Sequence, residues 1–208
     1  IEKGALGQKA GAGIFRKVGK NIVVLDLEKQ DYRPADRGAA DEVVEILKTK
    51  NPVEKFARLR ASQHPQAQFV WALFRDLFHY SACHLADIAE TARDVDFAIR
   101  WGYGWKLGPF ETWQAADWKK VAGWIAEDIA AGKAMSDAPL PGWVLDGRSG
   151  VHGAKGSFSP ARGADLPRSS LAVYARQRFP DPLLGESFAP GETVFETDAV
   201  RLWHDGDG

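Results

Sequence analysis

The chain has 208 residues, 45% of them hydrophobic and 26% charged, which is typical of one globular domain with extra segments or of two small domains. Its 27 basic and 28 acidic side chains give a net charge of -1, so no basic surplus draws it to nucleic acid or to an anionic membrane. The single cysteine, Cys83, excludes an intramolecular disulfide, and no apolar run approaches the ~20 residues of a membrane span, so we expect a cytoplasmic location.

The first 37 residues are predicted to contain little regular structure. Glycines recur through residues 1–20, which indicates turns and tight loops. The β-branched run at residues 22–27 predicts a short strand, and residues 29–37 read as a linker. The sole methionine is Met135, so residue 1 is not an initiator, and we expect the chain to derive from something longer.

Helical periodicity predicts a helical domain between residues 38 and 137. Asp41, Asn51, Asp94 and Asp117 are candidate N-caps, because short side-chain acceptors bind the free N–H groups of a first turn. Pro52 and Pro109 suit the first position of a helix. The predicted helices cover residues 41–48, 52 onward, 66–91, 95–101, 109–116 and 118–131.

The longest predicted helix, at residues 66–91, divides into two faces at ~100° per residue. The half predicted to face water holds Arg75, Asp76, His79, Cys83, His84, Asp87 and Glu90. The half predicted to face the core holds Val70, Phe74, Leu77, Phe78, Leu85 and Ile88. His79 and Cys83 have a spacing that offers two metal ligands, but nothing supplies a third and fourth, so a solvated face is the favoured interpretation.

Prolines crowd residues 138–208, which are predicted to be a Pro/Gly-rich linker leading to a strand. A helix is expected there only near residues 169–177. Residues 194–203 mix β-branched and aromatic residues and predict that strand, with Asp205-Gly206 suited to a hairpin turn.

The segment at residues 93–111, RDVDFAIRWGYGWKLGPFE, resembles the signature of the C-terminal helical domain of the 3-hydroxyacyl-CoA dehydrogenases. A second segment, KGALGQKAGAGIFRK at residues 3–17, is similar to the motif that ends such a domain. The resemblance implies a mainly α fold of that type, with short extended or β segments at both ends. It further implies the end of a first repeat at residues 1–37, a second repeat at 38–137, and a truncated hydratase-type domain that begins near 192–208.

The resemblance also implies which parts of the enzyme are missing. The chain has no G-x-G-x-x-G after a strand, and the family's catalytic His–Glu pair belongs to an NAD-binding domain that would lie upstream. Where the family's first repeat carries a substrate-site Asn, this chain has Ala72-Leu73. We therefore predict no catalytic, cofactor or metal residue. Structural or interface roles are predicted for Arg100, Trp101, Gly102, Gly104, Trp105, Gly108, Pro109, Phe110 and Glu111.

Three other sets of residues invite a chemical interpretation. Ser149 and Ser157 lie in glycine-rich segments but do not fit G-x-S-x-G, so loop serines are favoured over a hydrolase nucleophile. Lysines 9, 17 and 20 offer a phosphate cradle, for instance for CoA, although solvated lysines are favoured. Five tryptophans could form a ligand cage or could serve core or interface packing, and helical spacing favours packing. They are Trp101, Trp105, Trp113, Trp118 and Trp124.

The predicted function is that of a fragment of an NAD-dependent 3-hydroxyacyl-CoA dehydrogenase of fatty-acid β-oxidation. The parent enzyme would oxidise an L-3-hydroxyacyl-CoA with NAD, and this fragment, itself inactive and free of cofactor, would supply architecture and contact surface. Its expected partners are its own upstream NAD-binding domain, the first helical repeat, and a second copy in a homodimer. The alternative is a non-enzymatic helical interaction module with the same fold.

Overall fold

A computed structural model describes residue 4 and residues 6–35, 38–167, 192–197 and 200–204. The chain divides into two compact units, at residues 1–44 and 45–208, which are described separately. Helices dominate, and the strands are short and antiparallel, so the predicted mainly α class is confirmed. No helix in the described ranges is long and apolar enough to cross a membrane.

The first unit contains a three-stranded antiparallel meander of β1 (Phe15–Val18), β2 (Asn21–Asp26) and β3 (Asp31–Pro34), after a short 3-10 turn at Gln8–Ala10. The predicted strand at residues 22–27 is confirmed as β2. The predictions of loops at residues 1–20 and of a linker at residues 29–37 were wrong in part, because these segments contain β1 and β3. Asp26 closes the second turn, since its Oδ1 accepts from the backbone N–H groups of Glu28 and Lys29 at 3.0 Å each.

Six α-helices follow in the described residues, and the predicted helices are confirmed with small shifts at their ends. Asn51 caps the second helix by accepting from two backbone N–H groups, with Pro52 in its first turn. Asp117 caps the last by accepting from Lys120 N. The helices are α1 (Asp41–Lys48), which spans the boundary between the units, α2 (Pro52–Ala61), α3 (Pro65–Ile88), α4 (Ala92–Tyr103), α5 (Pro109–Ala115) and α6 (Trp118–Ala130).

Helix α4 begins three residues earlier than predicted, because its cap is Thr91. The Asp94 carboxylate, predicted to be the cap, reaches back and accepts from both the backbone N–H and the hydroxyl of Thr91 at 2.9 Å each. This is the reciprocal arrangement of a capping box, in which the acidic residue lies one turn into the helix.

The predicted division of α3 into a wet and a dry face was wrong in detail. Arg75 and His79, placed on the wet half, are 5% and 3% exposed, whereas Ile88, assigned to the core, is 56% exposed. The chain after α6 lies along the supposedly wet face. There the Ala138 carbonyl is 2.8 Å from His79 Nε2, and Met135 N donates to the carboxylate of Asp76 at 3.2 Å. Phe78 and Leu85 are buried as predicted.

The core of the helical unit is aromatic. The rings of Trp113 and Trp118 are stacked with centroids 4.1 Å apart, and the rings of Phe78 and Trp113 are stacked with centroids 5.5 Å apart. Both indole N–H groups are paired: Trp113 Nε1 donates to Trp118 O at 3.0 Å, and Trp118 Nε1 donates to Val144 O at 3.1 Å. These bonds remove the cost of burying two polar atoms in an apolar core.

Residues 138–167 pack into this core, although the sequence suggested a linker. They form a 3-10 turn at Gly142–Val144 and a small antiparallel sheet of β4 (His152–Gly153), β5 (Gly156–Ser159) and β6 (Ala164–Leu166). Their side chains buried in the unit include Leu140, Val144, Val151 and Phe158. The helix expected near residues 169–177 lies outside the described residues.

The strand predicted at residues 194–203 is a hairpin of β7 (Glu192–Glu196) and β8 (Arg201–His204). One strand was therefore predicted where two are found. The turn expected at Asp205-Gly206 lies outside the described residues.

Candidate functional site

The residues with predicted structural or interface roles, 100–111, form the end of α4, an exposed turn and the start of α5. Trp101 is 64% exposed and Trp105 is 40% exposed, so of the two packing roles considered for them, core packing does not apply. The Trp101 ring instead stacks on Phe97, with centroids 4.8 Å apart. Gly102 and Gly104 are also exposed, and Gly104 ends the helix in the left-handed conformation at φ 68°. Interface roles for these residues remain predictions.

The other end of the same segment is buried and tightly bonded. Gly108, Pro109, Phe110 and Glu111 are all buried. The Glu111 carboxylate accepts from Gly108 N at 2.6 Å and pairs with Arg100 Nη1 at 3.0 Å. The turn is therefore fixed where it enters α5, and its exposed aromatic side chains are presented from a rigid base.

A carboxylate that the sequence did not single out organises this base. Asp96 is fully buried in α4, and its two oxygens accept from Phe110 N at 2.8 Å and Glu111 N at 3.2 Å. These N–H groups belong to the first turn of α5, and the N–H groups of a first turn have no hydrogen-bond acceptor within their own helix. Gly108 is required at this crossing, because a Cβ there would lie 2.3 Å from the Asp96 Cα.

Two further residues complete a buried array, defined as Asp96, His152 and Ser157. His152 Nε2 lies 2.7 Å from Asp96 Oδ2, and His152 Nδ1 lies 2.8 Å from Ser157 Oγ. The side chains of His152 and Asp96 are 3% and 1% exposed. No sequence pattern indicated this cluster, since 56 positions separate Asp96 from His152.

Burial raises the pKa of Asp96 from 3.8 to about 6, because ionising a carboxyl away from water is costly. The hydrogen bond and charge of His152 oppose this shift, and the nearby carboxylate of Glu111 adds to it. The folded protein therefore holds a proton on Asp96 more tightly than the unfolded chain does.

The order Ser157–His152–Asp96 has the residue types of a nucleophilic triad, but its setting does not suit that chemistry. A nucleophilic serine must meet a substrate, and Ser157 is 2% exposed inside β5. The ring is also reversed relative to a serine-protease triad, since Nε2 faces the carboxylate and Nδ1 the serine. The array can hold and share a proton, and it joins α4, α5 and β4 to one another.

A second buried network joins three helices around Asp128 of α6. Its carboxylate accepts from the Trp71 indole at 2.9 Å and pairs with Arg75 at 3.3 Å and Arg60 at 2.8 Å. Asp128 is 1% exposed, and the two guanidinium groups balance its buried charge. This network fixes α2, α3 and α6 together.

An apolar groove of 720 Å³ runs along α3 beside the segment at residues 135–138. Its walls include Phe69, Leu73, Tyr80 and Met135, all of them more than half exposed. His79 and Cys83 also line the groove, and burial raises the pKa of the Cys83 thiol. In the part of the chain that the structure describes, no group of three His, Cys, Asp or Glu side chains is arranged to hold a metal ion.

The remaining candidate residues are scattered. Ser149 is exposed, as are lysines 9, 17 and 20. Trp113 and Trp118 are buried in the core, in line with the packing role predicted for them. The ring of Trp124 lies edge-on to that of Trp71, with centroids 5.7 Å apart.

Comparison with known proteins finds similarity to the probable 3-hydroxyacyl-CoA dehydrogenase of Bacillus subtilis (strain 168), with 31% identity over 146 residues. The alignment covers 70% of this chain and 18% of that relative, so this chain spans less than a fifth of the relative's length. No family model and no solved structure matches the chain. The chain is therefore related in sequence to a probable 3-hydroxyacyl-CoA dehydrogenase, in agreement with the resemblance drawn from residues 3–17 and 93–111.

Proposed function

We propose that this chain is the helical C-terminal part of an NAD-dependent 3-hydroxyacyl-CoA dehydrogenase of fatty-acid β-oxidation, and that it contributes architecture rather than catalysis. The observation that carries the proposal is the similarity over 70% of the chain to a protein named for that activity. The dehydrogenase-like segment at residues 93–111 supports it, since its Asp96 carboxylate accepts from Phe110 N and Glu111 N and so joins α4 to α5.

In the parent enzyme, this part would pack against the NAD-binding domain and a first helical repeat, and would back the acyl-substrate site. NAD would be held by the upstream domain, not by this chain. The exposed side chains of Trp101, Tyr103 and Trp105 offer a contact surface of suitable chemistry, because large aromatic side chains contribute strongly to protein interfaces. A homodimer and a cytoplasmic location belong to the same proposal.

The test of this proposal is an activity assay on the purified chain. Mixed with a 3-hydroxyacyl-CoA and NAD, the chain is expected to produce no NADH above the enzyme-free rate, because the dinucleotide loop and the His–Glu pair are absent from its sequence. Turnover in the ordinary enzyme range of ~1–1000 per second would contradict the proposed division of labour. A catalytic dehydrogenase assayed in parallel confirms that substrate and NAD are competent.

The second candidate is a non-enzymatic helical interaction module. The exposed apolar groove on α3 favours it, since such a groove can take an apolar partner whether or not chemistry occurs nearby. The reading frame upstream of residue 1 distinguishes the two: a dinucleotide-binding fingerprint there supports the dehydrogenase, and its absence supports the module.

A further inference from the structure

Residues 150–159, here called the strap, cross over α4 and α5 and include β4 and β5. One set of hydrogen bonds that holds the strap does not depend on pH. The Gln114 side chain of α5 accepts from Val151 N and His152 N at 2.9 Å each and donates to His152 O at 2.9 Å. An amide keeps these bonds at any ordinary pH.

The buried array also holds the strap, and each hydrogen bond of the array involves a titratable side chain or a hydroxyl. The Ser157 hydroxyl can donate to Nδ1 of a neutral His152 ring or accept from Nδ1 of a protonated ring. Both ring nitrogens therefore remain paired in either protonation state. The array can therefore gain or lose a proton while its buried polar atoms stay hydrogen-bonded.

We propose that Asp96, His152 and Ser157 form a pH-sensitive lock, which holds the strap and the start of α5 firmly when the array carries its extra proton and loosens when that proton leaves. The charged groups that face the array define the effect. Glu111 of α5 acts on Asp96 from one side, and Glu111 is itself paired with Arg100 of α4. Loss of the proton leaves a buried negative charge beside a second carboxylate, which favours an opened strap that water can reach.

The direction of the effect follows from Asp96. Its pKa rises from 3.8 to about 6 in the docked state, chiefly through burial. A group that binds its proton more tightly when docked strengthens docking fully below its ordinary pKa, and this contribution is lost as pH rises to its docked pKa. Docking of the strap should thus weaken between about pH 4 and about pH 6. The proposal is independent of the proposed dehydrogenase function, since it concerns proton binding and strap motion alone.

Amide hydrogen exchange in the strap tests the lock. Val151 N donates to the Gln114 side chain of α5 at 2.9 Å, so protection of this amide reports docking of the strap. In the wild-type chain, this protection, corrected for intrinsic exchange, is expected to fall by up to about a hundredfold from pH 4 to pH 7.5, the factor that corresponds to the rise in the Asp96 pKa from 3.8 to about 6. Asp96→Asn should abolish the fall, because a side-chain amide does not titrate in this range. The matched control Asp87→Asn, at an exposed aspartate of α3, should keep it.

Two results would overturn the proposal: protection of the Val151 amide that does not change with pH in the wild type, or a fall of equal size in Asp96→Asn. If that variant does not fold, nuclear magnetic resonance of the Asp96 side-chain carboxyl carbon in the wild type decides. Its signal is expected to shift over the same pH window as the Val151 protection, and a signal that stays fixed across that window would refute the lock.

Discussion

At the scale of single residues, the same side-chain type has opposite roles according to what lies next to it. Trp113 is fully buried and bonded, whereas Trp101 is 64% exposed, although only 12 positions separate them in the sequence. The glycines differ likewise. Gly102 of α4 has nothing within 4 Å of an added Cβ, and Gly108 has the backbone of Asp96 against it.

Gly108→Ala should therefore destabilise the protein by about 1–3 kcal/mol, the usual cost of forcing atoms into a packed site. The added Cβ would lie 2.3 Å from the Asp96 Cα, so α4 and α5 would have to separate and strain the bonds to Phe110 N and Glu111 N. Urea unfolding measures the change. The matched control Gly102→Ala should leave stability unchanged or raise it by up to about 1 kcal/mol, because alanine favours a helix. Equal stability of the two variants would show that the crossing tolerates a side chain.

At the scale of the elements, buried polar groups decide which helix faces which. Asp128 draws α2 and α3 onto α6 through Arg60, Trp71 and Arg75. The array performs the same task between α4, α5 and β4. Apolar packing alone tolerates sliding of one helix past another, and these directed bonds fix the register.

Asp128→Asn is expected to lower the free energy of unfolding by about 3–5 kcal/mol, because it leaves two guanidinium groups facing a neutral amide in a buried site. Glu127→Gln is its control: Glu127 also pairs with Arg60, at 3.4 Å, but its side chain is 68% exposed. That substitution should cost about 0–1 kcal/mol. Denaturant titrations of both variants make the comparison. A loss below 1 kcal/mol in Asp128→Asn would mean that the network is not required for stability.

At the scale of the whole molecule, packing leaves the groove on α3 open in the part of the chain that the structure describes. Phe69, Leu73, Tyr80 and Met135 remain exposed beside one another. A cluster of exposed apolar side chains is a common site of contact with another protein. With a net charge of -1, little repulsion opposes association of two copies.

We expect the chain to form a two-fold dimer through this groove, because isologous pairing is the commonest closed assembly. Leu73→Glu should shift the dimer to monomer by placing a charge in the groove. Leu145→Glu is the matched control, since Leu145 is equally exposed but lies outside the groove. Light scattering after size exclusion, across a tenfold dilution, gives the mass. A single species at 22.8 kDa at every concentration would reject association.

The sequence by itself determined the helical class and most helix boundaries. Asn51 and Asp117 cap the helices for which they were predicted, because capping joins residues two or three positions apart. Glycine and proline at the start of α5 act through their own backbone. The resemblance at residues 93–111 likewise rests on a short contiguous pattern, and the chain is similar over 146 residues to a probable 3-hydroxyacyl-CoA dehydrogenase.

Only the tertiary structure decided which faces are covered and where the buried charges meet. His79 lies on a face that periodicity marks as polar, yet it is buried because the chain near Ala138, 59 positions later, crosses it. Asp96 and His152 are ordinary residues in their local sequences, and their pairing depends on the strap returning to α4. A pattern of polarity records what a segment can bury with its neighbours in sequence. It does not record which distant segment arrives, and in this chain that arrival creates the buried array.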